Sequence, residues 1–215
     1  MLMYWHGLSS VRIEASLNQR DAVLVTDPFE ADGAVKFPKA VLPDIVVMSH
    51  QDRKRFAYDQ FETKPFLISD PGEFEVKGVF VQGIQDKGKD SGTELRPVVY
   101  RMMIEGMNVA FLGKLDRKPT DAEVEALENV DILLLPVGGG GGMDAKLAGE
   151  TISLIEPRMV VPLHYDVPGL ASPLGTVDAF CSTLGGCTRQ DAPKLKVSRK
   201  DLPADTIVVS VLERS

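Results

Sequence analysis

The chain has 215 residues, of which 44% are hydrophobic and 26% charged, with a formal net charge of -7. No apolar run approaches the roughly 20 residues that a membrane-spanning helix needs, and an acidic chain repels a phosphate backbone, which sets aside a membrane-embedded protein and a general nucleic-acid binder. The length suits a single domain, 1–215, built around one core.

Residues 1–7 lack a basic stretch followed by a long apolar one, so no signal peptide is read there and a cytoplasmic protein is expected. Cys181 and Cys187 have five residues between them, a spacing that fits neither a redox pair nor a zinc knuckle. In a reducing compartment they are expected to be ordinary thiols.

The chain opens with apolar and polar residues alternating in strand fashion at 2–5, 11–14 and 22–26, the last ending at Asp27-Pro28. Ile45-Val46-Val47-Met48 is a continuous apolar run, short enough for a strand buried on both faces, and it ends at Ser49-His50. Further strands are predicted at 66–69, 73–82, 98–105 and 108–112, with turns at Asp70-Pro71-Gly72, Lys77-Gly78 and Gly106. The polar, glycine-rich segment 86–96 reads as an exposed loop.

Beyond residue 119 the period changes. Thr120-Asp121-Ala122-Glu123 has the form of a helix capping box, so a short helix begins there. Residues 131–136 form a second continuous apolar run that leads through Val137 into five glycines, 138–142, and then a helical pattern extends to Ile155 and closes at Glu156-Pro157. A strand at 159–163 ends at His164, a helix spans 177–184 and stops at Gly185-Gly186, and a final strand covers 206–212. Strands first and strand-helix alternation later predict an α/β fold in four layers, αββα.

The sequence holds three histidines, His6, His50 and His164, and each stands where a predicted strand ends. In layered α/β folds strand ends face a shared crevice, and imidazole is the commonest transition-metal ligand. The plainer reading is a surface or capping histidine, and His6 fits it best. Asp27 before Pro28 reads as the organiser of a turn. The glycine run lacks a following Gly-Lys-Ser/Thr, so it is a strand-to-helix turn rather than a phosphate loop.

Taken together, Trp5-His6-Gly7-Leu8-Ser9-Ser10, Thr26-Asp27-Pro28-Phe29, the strand ending Ser49-His50, Pro71-Gly72-Glu73-Phe74-Glu75-Val76-Lys77-Gly78, the run 131–136 with its glycines, and Pro162-Leu163-His164-Tyr165 resemble the metallo-β-lactamase superfamily. More closely, they are similar to its small bacterial branch of metal-dependent hydrolases. The resemblance runs from about residue 2 to about residue 185 and implies a site for two zinc ions that activate a shared water.

Residue by residue, the resemblance retains His50, puts Asp52 in place of a second histidine, Lys54 in place of an aspartate and Arg55 in place of a third histidine. It puts Lys114 in place of a bridging aspartate and retains His164. Protonated Lys and Arg cannot ligate a cation, and two such exchanges change the local charge by about +4, the charge of two divalent ions. The expectation is a degenerate family member without zinc-hydrolase activity and without a cofactor, acting by ligand binding or assembly, with Lys54, Arg55 and Lys114 facing a small anionic ligand. The alternative is a hydrolase with one zinc or manganese ion on His50, Asp52 and His164, three ligands leaving an open position for water. Association into a homo-oligomer is expected from the resemblance.

Overall fold

A computed structural model describes residues 1–17, 20–50, 56–85, 96–190 and 192–215. Two sheets stack face to face. The first has the order β15 (Leu195–Lys196), β1 (Leu2–Gly7), β2 (Ser10–Leu17), β3 (Arg20–Thr26), β6 (Ile45–Val47) and β7 (Phe66–Ile68). The second has the order β14 (Thr188–Arg189), β16 (Val208–Val211), β13 (Met159–Leu163), β12 (Ile132–Pro136), β11 (Met107–Phe111), β10 (Val99–Ile104), β9 (Val79–Ile84) and β8 (Gly72–Val76). A two-stranded hairpin, β4 (Ala31–Asp32) and β5 (Val35–Lys36), stands apart from both.

The sequence period explains which sheet regions are covered. The strands β12 and β13 are flanked by parallel neighbours and buried along their whole length, as their unbroken apolar runs require. Three helices serve these parallel connections: α1 (Asp121–Ala126), α2 (Ala145–Ile155) and α3 (Val177–Thr183). The capping box at Thr120 and Glu123 forms as predicted, while Asp144 and Thr176 cap the other two helices by accepting from Leu147 N and Ala179 N. Glu156, in a left-handed conformation before Pro157, ends α2.

One apolar core runs from Trp5, Ile13, Leu24 and Val47 of the first sheet through Met102, Phe111 and Leu133 of the second to Ile152 and Phe180 on the helices. Alternation sends Val25, Val46 and Met48 to the opposite face of the first sheet, where they meet Phe29, Val35 and Phe37. The β4–β5 hairpin and a short 3-10 turn at Tyr58–Gln60 lie over that second cluster. The α/β sandwich is therefore present. The predicted strand at 73–82 is a hairpin, β8 and β9, reversed at Lys77-Gly78, both at positive φ.

Cys181 and Cys187 form a disulfide, which corrects the expectation of free thiols. Gly185 and Gly186, both at positive φ, reverse the chain after α3 and bring the two Cα atoms to 5.3 Å, within bonding range.

Candidate functional site

Strand ends converge at one end of the sandwich. There β3 delivers Asp27, β6 delivers Ser49 and His50, β11 delivers Gly113 and Lys114, β13 delivers His164, and the β1–β2 turn delivers Leu8 and Ser9. Backbone groups tie the two sheets together at this rim. His164 N donates to Leu8 O at 2.8 Å, Ser9 Oγ to Gly113 O at 3.1 Å, and Val98 N to Ser49 O at 2.8 Å. Gly113 sits at φ +56, and a Cβ there would lie 1.9 Å from that of Ser49, so only glycine fits.

Asp27 is the anchor of the rim. It is 3% exposed and adopts φ +36, and its carboxylate accepts from Ser49 N at 2.7 Å and Ser49 Oγ at 2.6 Å. Burial pushes its carboxyl up to about 7, against the opposing pull of those hydrogen bonds and of Lys114. The role is structural, but the carboxylate serves Ser49 rather than the Asp27-Pro28 turn expected from the sequence, and so Asp27 holds the residue next to His50.

His164 is 2% exposed and takes φ +52 directly after β13. Burial, with the Lys114 charge second, pushes its imidazole down to about 4, so the ring is neutral near pH 7. The glycine turn wraps this ring: Gly138 N donates to His164 O at 3.0 Å, and His164 Nε2 lies 3.5 Å from Gly140 O. In the tautomer with the proton on Nε2, the lone pair is on Nδ1, which is buried and has no partner among the described residues.

Lys114 is half-buried between Gly113 and Leu115, and its charge acts on Asp27, Asp32 and His164. Sequence reasoning missed Asp32, whose only signal was the Asp-Gly turn pair. Asp32 accepts from Ala171 N and Ser172 N, each at 2.9 Å, and from Ser172 Oγ. Desolvation pushes its carboxyl up, but the Ser172 hydroxyl and the two amides win and hold it below the usual range. With Ala34 N donating to Gly169 O at 2.7 Å, these bonds pin the segment 166–175 to the β4–β5 hairpin as a wall beside His164.

His6 does not belong to this rim. Its neighbour Trp5 points into the main core, so His6 faces the other way and meets Phe37 edge-on at 5.1 Å. Its Nδ1 lies 2.8 Å from Ser215 Oγ. Asp52, Lys54 and Arg55 lie outside the described residues.

A divalent ion needs neutral imidazoles or carboxylates with lone pairs to spare. The neutral His164 ring, with Nδ1 unpartnered among the described residues, meets that need, and His50 follows the neighbouring rim strand. Among the described residues no three His, Cys, Asp or Glu side chains gather as a ligand set. Lys114 places a cation at the same rim, within whose field His164 lies.

Comparison with known proteins bears on the chemistry. Residues 2–164 match the family described as the beta-lactamase superfamily domain. A UPF0173 metal-dependent hydrolase of Thermoplasma acidophilum is 26% identical over 196 residues, covering 75% of this chain and 82% of that protein. A UPF0173 protein of Pyrococcus furiosus is 36% identical over 72 residues, and the match spans only 33% of its length. The crystal structure of a candidate zinc-dependent hydrolase of the metallo-beta-lactamase superfamily from Thermotoga maritima superposes with a TM-score of 0.79 at 28% identity, covering 99% of this chain and all of that one. These relatives correct the expectation of a degenerate protein without hydrolase activity, because those aligned over most of the chain carry the name of metal-dependent hydrolases.

Proposed function

The chain belongs to the beta-lactamase superfamily, and on that premise we propose that it is a metal-dependent hydrolase working with one zinc or manganese ion held by His50, Asp52 and His164. The observation that carries the reading is the His164 ring, buried, neutral, and with a ring nitrogen unpartnered among the described residues. The names of the relatives support the same chemistry. When bound, such an ion supplies Lewis-acid polarisation and a nucleophile at neutral pH.

The protein's own contribution is to fix that chemistry in place. Gly140 O orients the His164 ring, and Asp27 holds Ser49 and so the start of the His50 segment. The wall at 166–175 restricts water at His164, which strengthens every charge interaction there. A cytoplasmic location is part of the proposal. Among the described residues no helix is long and apolar enough to cross a membrane. The Cys181–Cys187 bond is the feature that a reducing compartment would have to tolerate.

Elemental analysis tests the reading. Protein loaded with zinc or manganese and then desalted is expected to keep about one equivalent of metal, and His164→Ala none. A wild-type chain that keeps no metal overturns it, and two equivalents overturn the single-ion form.

A further inference from the structure

Lys114 is a half-buried residue, and the acids that feel its charge are already engaged. Asp27 gives its two oxygens to the amide and hydroxyl of Ser49. Asp32 gives its own to Ala171 and Ser172. Among the described residues Lys114 closes no hydrogen bond or ion pair of its own, although its charge is felt by both acids and by His164.

Its position is imposed rather than chosen. Leu112 and Leu115 on either side are fully buried, Leu115 N donates back to Leu112 O at 3.0 Å, and Gly113 is wedged against Ser49. The backbone therefore holds the root of the lysine at the rim. A half-buried lysine with no contacting anion among the described residues leaves its charge open to a ligand that supplies one.

We infer that the Lys114 ammonium receives an anionic group, so that the substrate of the proposed hydrolase carries a carboxylate or phosphate beside the bond that is cleaved. This substrate class rests on the hydrolase reading above, whereas the anion contact itself does not. The same side chain thus selects what is hydrolysed.

Thermal unfolding of the full chain, stripped of metal by chelator, tests the contact with inorganic phosphate against sodium chloride at matched ionic strength. At a phosphate concentration about tenfold above its dissociation constant, Tm is expected to rise by roughly 3–6 °C over the chloride control. Lys114→Ala abolishes the rise, Lys114→Arg keeps at least part of it, and Lys194→Ala, changed at an exposed lysine beside Met1 and Glu105 at the opposite end of the sheets, keeps all of it. If phosphate stabilises no more than chloride, or if Lys114→Ala retains the full rise, the inference fails. Should Lys114→Ala not fold, Lys114→Gln replaces it in the same comparison. Metal analysis of the same protein after reloading and desalting separates the two claims: a Lys114-dependent rise in protein that never holds metal sinks the hydrolase reading and keeps the anion site. One equivalent of metal with no such rise does the reverse.

Discussion

His6 and His164 are each 2% exposed, burial pushes both imidazoles down to about 4, and each keeps one ring nitrogen unpartnered among the described residues. Their surroundings differ. The His6 ring meets Phe37 on the outer face of the first sheet, with Ser215 on Nδ1 and the positive fields of Arg12 and Arg214 around it. The His164 ring lies on a glycine turn at the rim where five strand ends and turns meet, within the field of Lys114 and Asp32. Burial and neutrality do not make a ligand. Proximity to other strand ends does.

The largest effect expected separates these two rings directly. His164→Ala should lower hydrolysis by more than the roughly 10–100-fold that changes around a metal site produce. His6→Ala should leave hydrolysis in place and instead cost about 2–3 kcal/mol of stability, through a lost core ring and its Ser215 contact. Equal losses of hydrolysis in the two variants would end the distinction.

A second pair sharpens it with carboxylates. Asp27 is buried with no cation in contact among the described residues, whereas Glu123, fully buried, receives Arg117 through two bonds of 2.8 Å and caps α1 through Thr120 N. The Asp27 carboxyl is raised in the folded state to about 7 from its ordinary value of 3.8, so folding favours its protonated form. Its destabilising contribution is absent below pH 4 and complete above pH 7, and stability falls as pH rises through that window by at most about 4 kcal/mol. Urea unfolding of Asp27→Asn from pH 4 to 8 should show that slope removed; an unchanged slope would mean that another group is responsible.

Arg117→Ala should cost about 2–3 kcal/mol at neutral pH, less than a fully enclosed pair because Arg117 is partly exposed. The smallest effect belongs to the disulfide. Reduction of Cys181–Cys187, followed by denaturant midpoint, should cost about 2 kcal/mol for so short a loop.

Much of the frame was legible because its signals are local and strong. Unbroken apolar runs marked β6, β12 and β13, Thr120 and Glu123 marked α1, and the end of each run pointed to His50 and His164. The strands of two residues, β4, β5, β14 and β15, carry too few positions for a period to register. The disulfide depends on a glycine reversal that no cysteine motif encodes, and the Asp32 wall depends on contacts across 139 and 140 positions of chain. Lys114 could be read only against a family pattern, since a lysine after glycine has no signature of its own. Of the cationic cluster first singled out, Lys54 and Arg55, like the proposed ligand Asp52, lie outside the described residues.

The rim of the sandwich is laced by main-chain atoms: His164 N to Leu8 O, Val98 N to Ser49 O, Gly138 N to His164 O. None of these bonds uses a side chain at positions 50, 114 or 164. Such a scaffold is indifferent to the chemistry mounted on it, so ligands can be exchanged for cations one at a time without the opening changing shape. Divergence of activity on this framework costs little in folding where the exchanged side chain is only half-buried, and a single engineered exchange at position 114 is a trial of chemistry rather than of architecture.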